Sequence, residues 1–119
     1  MRYSDWTTLA NTETEAPAQN GLFQIKVKDG LVNYPRGKSA MFYYGFAENL
    51  SQGLQNFRSR ILPLLEVNES VLLIRWLATE NTEAQFQNYL NSFFNNFGAL
   101  PLGNEMQLHK QYQNQQSEG

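Results

Sequence analysis

The stretch FYYGFAENLSQGLQNF, residues 42–57, holds the transition on which the fold depends. Its first part is aromatic and apolar enough for a central strand, and we expect that strand to end at Gly45. A helix is predicted from about Glu48, because Leu50, Leu54 and Phe57 recur at helical spacing. Many enzymes hold reactive side chains at such a strand–turn–helix corner. The side chains offered here transfer no proton near neutral pH: Gln52, Gly53, Gln55 and Asn56.

Two strands are expected before this stretch. GLFQIKV, residues 21–27, alternates between an apolar and a mixed set of side chains, which predicts a half-buried strand. KDG then supplies a turn, and LVNYPRGKSA, residues 31–40, predicts a short strand followed by a loop containing proline and glycine.

A strand and a helix are expected after it. SVLLIRWLA, residues 70–78, is rich in β-forming residues and apolar on both faces apart from Arg75, which predicts an interior strand. TEAQ, residues 82–85, fits a capping box at the start of a helix. An apolar stripe at helical spacing follows, and Gly98 is a natural stop. The stripe consists of Phe86, Tyr89, Leu90, Phe93, Phe94 and Phe97.

The order β-β-β-α-β-α predicts a small α+β domain whose mostly antiparallel central sheet is flanked by helices. Residues 1–20 are interpreted as a polar lead-in, residues 21–104 as the domain and residues 105–119 as a mobile polar tail. A chain of 119 residues is long enough for one core. No apolar run approaches the roughly 20 residues of a membrane span, and no signal peptide is recognised, so a soluble, cytoplasmic protein is expected.

Composition narrows the classes of function. Cysteine is absent, which excludes disulfides and thiol chemistry, and nine basic against eleven acidic residues leave a net charge of −2. The 24 asparagine and glutamine residues outnumber the 20 charged ones. Strong non-specific binding to nucleic acid is therefore not favoured, because its affinity comes from neutralising phosphates. The best local basic cluster is Lys26, Lys28, Arg36 and Lys38.

Four short motifs, in order, resemble the GIY-YIG nuclease family. They are GLF at residues 21–23, YYG at 43–45, AENL at 47–50 and PLGN at 101–104. Each motif alone is weak, but the ordered set covers most of the chain. The resemblance implies a GIY-YIG-like fold. In that family two tyrosines, a helix arginine and often a histidine act on a phosphodiester, and a glutamate on a later helix holds one divalent metal ion.

The resemblance aligns most of the family's reactive residues with positions where this chain has side chains that lack the reactive group. The first tyrosine falls on Phe23, the arginine on Gly53 and the histidine on Phe57, whereas the second tyrosine is retained as Tyr43. The glutamate falls on Gln87, with Gln85 as the alternative register. Phenylalanine has no group that can transfer a proton, and glycine has no side chain to bind a phosphate. The neutral amide of glutamine binds magnesium poorly. No metal ligand is assigned, and no cofactor is expected unless the protein is active, in which case it is Mg²⁺.

Other residues of the chain are candidates to replace the lost arginine and the lost metal ligand. Arg58 and Arg60 follow Gly53 on the predicted helix, but an offset of five residues turns a side chain about 140° around the helix axis. Glu48 and Glu83 lie at helix starts, where a carboxylate commonly favours the helix dipole. Arg36, Lys38, Tyr43 and Arg58 are the candidate binding residues, with the Arg36–Lys38 loop expected near the cleft.

Three functions remain open at this point. The first is an inactive GIY-YIG-like domain that binds a protein or nucleic acid, with protein slightly favoured by the charge. The second is an active but atypical metal-dependent endonuclease. The third is a structural or assembly protein that shares only the fold. The substitutions at Gly53, Phe57 and Gln87 favour the first over the second.

Overall fold

The structure, a computed structural model, describes residues 2–117 and the side chains of residues 2–111. Its strands are β1 Gly21–Val27, β2 Val32–Tyr34, β3 Gly37–Ser39, β4 Met41–Ala47 and β5 Leu72–Ala78. Its α-helices are α1 Thr12–Glu15, α2 Leu50–Asn56, α3 Thr82–Phe97 and α4 Leu102–Ser117. Turns of other helical pitch are Leu9–Asn11, Phe57–Ile61, Leu62–Leu65 and Glu69–Val71.

The central sheet is antiparallel, with β1 in the middle and the strand order β4-β1-β5. Phe23 of β1 lies opposite Gly45 on one side and Trp76 on the other. Strands β2 and β3 form a separate two-stranded sheet. The protein is thus a small α+β domain with an antiparallel sheet flanked by helices, as the sequence predicts.

The two faces of the sheet are covered by different helices. Phe23 and Tyr43 point to the face that carries α2 and the turns after it, where Leu50, Leu54 and Phe57 are buried. The opposite face is covered by α3, whose Tyr89 ring stacks on Tyr44 of β4 with 5.5 Å between centroids, and by the N-terminal segment. The expectation of a half-buried β1 is therefore wrong, because side chains on both of its faces are buried.

A polar layer lies beneath α3 and the N-terminal segment. The buried Gln24 accepts a hydrogen bond from Arg75 Nε at 2.8 Å and donates one to the Tyr3 hydroxyl at 3.3 Å. The Arg75 guanidinium lies over the rings of Tyr3 and Trp6, 4.5 and 4.6 Å from their centroids. Arg75 therefore contacts an amide and two aromatic rings rather than an acidic residue.

Both flanking segments belong to the domain. Thr7 exchanges backbone hydrogen bonds with Ile74 along the edge of β5, and Leu9 and Thr12 are buried. The interpretation of residues 1–20 as a lead-in outside the domain is thus wrong for the described part. Residues 105–117, expected to be a tail, continue α4, and Met106 packs against the core. Residues 118–119 of that expected tail lie outside the described residues.

Three local predictions are also corrected. Strand β4 continues through Gly45 to Ala47, and α2 begins at Leu50 after Asn49, whose side chain accepts a hydrogen bond from the Gln52 amide at 3.1 Å. The expected Pro/Gly loop is instead the tight turn between β2 and β3. The capping box is absent because Thr82 is already helical. The preceding residue, Asn81, has a left-handed backbone and makes no side-chain cap bond.

Within residues 2–117, no helix combines the length and the apolar character needed to cross a lipid bilayer.

Candidate functional site

Four of the five residues at the catalytic motif positions line one cavity of about 280 Å³. They are Phe23 of β1, Tyr43 of β4, Gly53 of α2 and Phe57, which directly follows α2. The other lining residues come from β4, α2 and its continuation, α3 and α4: Gly45, Phe46, Asn56, Ile61, Phe86 and Gln107. Residues chosen by motif position from three separate parts of the chain therefore meet in space.

Aromatic rings form the inner wall of this cavity. The Phe23 ring stacks on Tyr43 with 5.9 Å between centroids, and Phe57 lies 5.7 Å from Phe23 and 4.8 Å from Tyr43. All three side chains are buried. The resemblance implies a hydroxyl at residue 23, and an apolar ring fills that position.

Tyr43 is the one residue with a titratable side chain among those lining the cavity. Its hydroxyl donates a hydrogen bond of 2.6 Å to Gln107 Oε1 on α4. Burial raises the pKa of Tyr43 to about 12. The phenol therefore keeps its proton near neutral pH and does not serve as a base there.

The two glycines of the cavity are required by close packing. A Cβ atom added at Gly45 would overlap the Phe23 ring, so the strand needs glycine there to admit the ring. A Cβ atom added at Gly53 would overlap the Cβ of Ala47, where α2 crosses the end of β4. Gly53 is thus a packing position, and the arginine of the family does not fit there without moving the helix.

A divalent metal ion does not fit the residues present. The resemblance to the GIY-YIG family implies one at these positions, yet the lining supplies only the Tyr43 phenol and the amides of Asn56 and Gln107 as polar side chains. Hard cations such as Mg²⁺ need carboxylate oxygens. No group of three histidine, aspartate or glutamate side chains suited to a metal is found among residues 2–117.

The two candidates for the glutamate position lie outside the cavity. Gln87 lines two neighbouring grooves, one between α3 and α4 and one beside the start of α3. Gln85 donates a hydrogen bond from Nε2 to the Glu80 carbonyl at 2.7 Å. The structure therefore brings neither amide to the aromatic cavity.

The Arg36–Lys38 segment lies at the end of α3 rather than at the mouth of the cavity. The Arg36 guanidinium donates to the Phe94 carbonyl at 3.2 Å, and the Arg36 backbone N–H donates to the Phe97 carbonyl at 3.0 Å. These are carbonyls of the last helical turn, where a cation is favoured by the helix dipole. Lys38 is exposed on β3. Lys26 of the same expected basic cluster lies on β1, 4.4 Å from the centroid of the Trp6 ring.

Arg58 is engaged by two carboxylates. Its Nε and Nη2 atoms donate to the two Glu69 oxygens, both at 2.7 Å, and Nη1 donates to Glu13 at 2.9 Å. The Arg58 hydrogen bonds hold the pKa of Glu69 below its ordinary value. Arg58 does not line the aromatic cavity, and neither does Arg60. The expected binding role of Arg58 therefore has no support in its surroundings.

An acidic surface adjoins the mouth of the cavity. Phe46 lines both the cavity and a groove that carries Glu48 and Glu83. A further groove shares Glu48 with that one and adds Glu80. No lysine or arginine lines either groove. Glu48 and Glu83, the candidate replacement ligands, therefore lie outside the aromatic cavity.

Six lining residues are not among the site residues that the sequence predicts: Gly45, Phe46, Asn56, Ile61, Phe86 and Gln107. Phe86 was assigned to the apolar stripe of α3, and its ring lies 4.9 Å from Phe46. Gln107 was assigned to the polar tail. The closing motif PLGN offers a signal for it, because Asn104 bonds to the Tyr44 backbone and so holds α4 beside β4 three residues before Gln107.

No protein-family model, no curated protein and no solved structure matches the chain.

Proposed function

We propose that this protein is a catalytically inactive, GIY-YIG-like binding module whose former catalytic cleft has become an aromatic receptor cavity. The observation that carries the proposal is the lining of the cavity: Phe23, Tyr43, Gly53 and Phe57, at the motif positions, surround it with no carboxylate, lysine, arginine or histidine. A phosphodiester held there would have no cationic side chain against its phosphate and no carboxylate to hold a metal ion. No side chain of the lining would accept a proton from an attacking water near neutral pH.

The partner in this proposal is a protein, and the proposed location is the cytoplasm. Two of the four expected binding residues already serve the fold, since Arg36 contacts the end of α3 and Arg58 is paired with Glu13 and Glu69. The surface beside the cavity is acidic, which disfavours the phosphates of nucleic acid. A neutral cavity beside acidic grooves fits a polypeptide better.

A cleavage assay tests the loss of catalysis. The chain would be incubated with Mg²⁺ or Mn²⁺ and supercoiled plasmid, branched DNA or structured RNA. An Arg36→Ala/Lys38→Ala variant would be run in parallel. We expect no metal-dependent product from either protein. Cleavage activity that stays in constant ratio to the protein through successive purification steps would overturn the proposal. The candidates for the catalytic groups would then be Arg58, Arg60, Glu48 and Glu83.

A further inference from the structure

The aromatic cavity has the size and lining of a receptor for one ring. Its 280 Å³ lies just below the roughly 300 Å³ at which pockets for drug-sized ligands begin. Its inner wall is buried, whereas Phe46 at its mouth is 40% exposed and Asn56 is also exposed. Because Gln107 Oε1 accepts the Tyr43 hydroxyl, its amide NH₂ group stays available as a donor within the cavity. The cavity thus favours an uncharged aromatic group that carries a polar atom.

The mouth of the cavity is also an open strand edge. On the outer edge of β4, the Asn104 side chain accepts a hydrogen bond from the Tyr44 backbone N–H and donates one to the Tyr44 carbonyl. Alternate residues of a strand direct their backbone groups to the same side, so those of Phe46 point to this edge as well. Among the described residues, neither backbone group of Phe46 has a partner on that side. An extended peptide can therefore pair with β4 at Phe46.

The negative charge beside this edge favours peptides with basic residues. Phe46 separates the cavity from the groove that carries Glu48 and Glu83, and no basic residue lines either side. A strand laid along this edge directs alternate side chains to opposite faces, so one can enter the cavity while its neighbours reach the groove. Lysine or arginine next to the inserted residue would find two carboxylates, whereas a phosphate group would be repelled.

We propose that the aromatic cavity and the open edge at Phe46 bind an extended segment of a partner protein. In this segment an aromatic residue, tryptophan or tyrosine, enters the cavity beside Gln107, and flanking basic residues face Glu48 and Glu83. This inference rests on the proposed function, since it assigns the cleft to binding, and it names the chemistry of the partner.

Three peptides and one nucleotide test it by titration into the ¹⁵N-labelled chain. The probes are acetyl-Lys-Trp-Lys-amide, acetyl-Glu-Trp-Glu-amide, acetyl-Lys-Ala-Lys-amide and adenosine monophosphate. Amide shifts of Gly45, Phe46 and Gly53 report on the cavity, and the amide of Gly30, in a turn, serves as the internal control.

The Lys-Trp-Lys peptide is expected to shift the three cavity amides and to bind about tenfold more tightly than Lys-Ala-Lys, because the ring is buried. It should bind about fivefold more tightly than Glu-Trp-Glu, and this charge preference should shrink in about 0.5 M salt. The Phe46 amide should also exchange more slowly with solvent in the complex.

Two variants test the location. Asn56→Trp places a ring at the exposed mouth and should abolish the Lys-Trp-Lys shifts. Glu48→Gln/Glu83→Gln should remove the preference for the basic peptide, whereas Glu15→Gln, at an exposed position on α1, should leave it unchanged. All four substituted positions are exposed, so folding should be retained, and the spectrum of each free variant checks this.

The inference is overturned if Lys-Ala-Lys binds as tightly as Lys-Trp-Lys, if shifts centre away from the cavity, or if adenosine monophosphate binds more tightly than the peptides. Equal binding of the basic and acidic peptides would remove the role of Glu48 and Glu83. These results leave the loss of catalysis standing, because the cleavage assay decides that separately.

Discussion

The side-chain amide of Asn104 forms with the Tyr44 backbone the two hydrogen bonds that a neighbouring strand would otherwise form. Its Nδ2 donates to the Tyr44 carbonyl and its Oδ1 accepts the Tyr44 N–H, both at 2.9 Å. This pair fastens α4 to the edge of β4, and Gly103 allows the close approach because a Cβ there would crowd Phe42. The same contact determines where the covered part of the edge ends and the aromatic cavity begins.

Replacing Asn104 with alanine should lower the free energy of unfolding by about 1–3 kcal/mol, because two backbone groups of Tyr44 lose their partners. Urea denaturation measures the change. Asn95→Ala, at an exposed position on α3, is the matched control and should stay within about 0.5 kcal/mol of the parent. Equal effects of the two substitutions would show that the paired amide adds no particular stability.

Adding a side chain at Gly53 should destabilise the protein. Gly53→Ala gains about 1 kcal/mol of helix propensity, yet we expect a net loss because the new Cβ overlaps Ala47. The double variant Gly53→Ala/Ala47→Gly removes the overlapping atom. A double-mutant cycle measured by urea denaturation should therefore give a favourable coupling of about 1 kcal/mol or more. Additive effects would contradict the assigned packing.

Arg36 and Lys38 should differ in their contribution to stability. Arg36→Ala removes the guanidinium from the Phe94 carbonyl at the end of α3 and should cost about 0.5–1 kcal/mol. Lys38→Ala, at an exposed position, should change little. Thermal unfolding of both variants makes the comparison. A larger loss for Lys38→Ala would mean that the hairpin is held to α3 in another way.

The ion pair between Arg58 and Glu69 should be visible in the response to acid. Because the pKa of Glu69 is held below its ordinary value of 4.5 by Arg58, its stabilisation is present above that pH and is lost as the pH falls through the lowered pKa. The loss should be about 1 kcal/mol or less, since both side chains are partly exposed.

Unfolding measured between pH about 6 and 3 should therefore show a shallower decline for Glu69→Gln than for the parent. Glu15→Gln should follow the parent curve, since no ion pair of Glu15 is found among residues 2–117. Parallel curves for the parent and Glu69→Gln would contradict the pairing.

The order of strands and helices could be predicted because each central element carries its own periodic signal. The alternation of GLFQIKV, the apolar run SVLLIRWLA and the helical stripe from Phe86 to Phe97 all correspond to observed elements. The positions expected for the strands are wrong, because β1 is central and buried on both faces, whereas β4 and β5 form the two edges of the three-stranded sheet. Gly45 was predicted to end β4, but the strand continues to Ala47. Its role is to admit the Phe23 ring from the neighbouring strand, and a contact between strands leaves no local pattern.

Four residues of the cavity lining are at the motif positions, but the other lining residues could not be predicted. Gln107 lies in a polar segment whose helix is stabilised by contacts with β4, and such tertiary packing overrides weak local amphipathicity. The structural roles of Arg36 and Arg58 could not be predicted either, because their partners Phe94 and Glu13 are distant in the sequence. A basic residue in isolation does not reveal whether its charge is already used by the fold.

The central claim is that the cleft around Tyr43 no longer catalyses. It is tested most directly by measuring metal-dependent cleavage of branched DNA with the parent chain beside Tyr43→Phe, which removes the single titratable side chain of the cavity. We expect neither protein to cleave, with both spectra showing a folded domain. Cleavage by the parent that is lost in a folded Tyr43→Phe protein would contradict the account and show that the aromatic cavity is an active site.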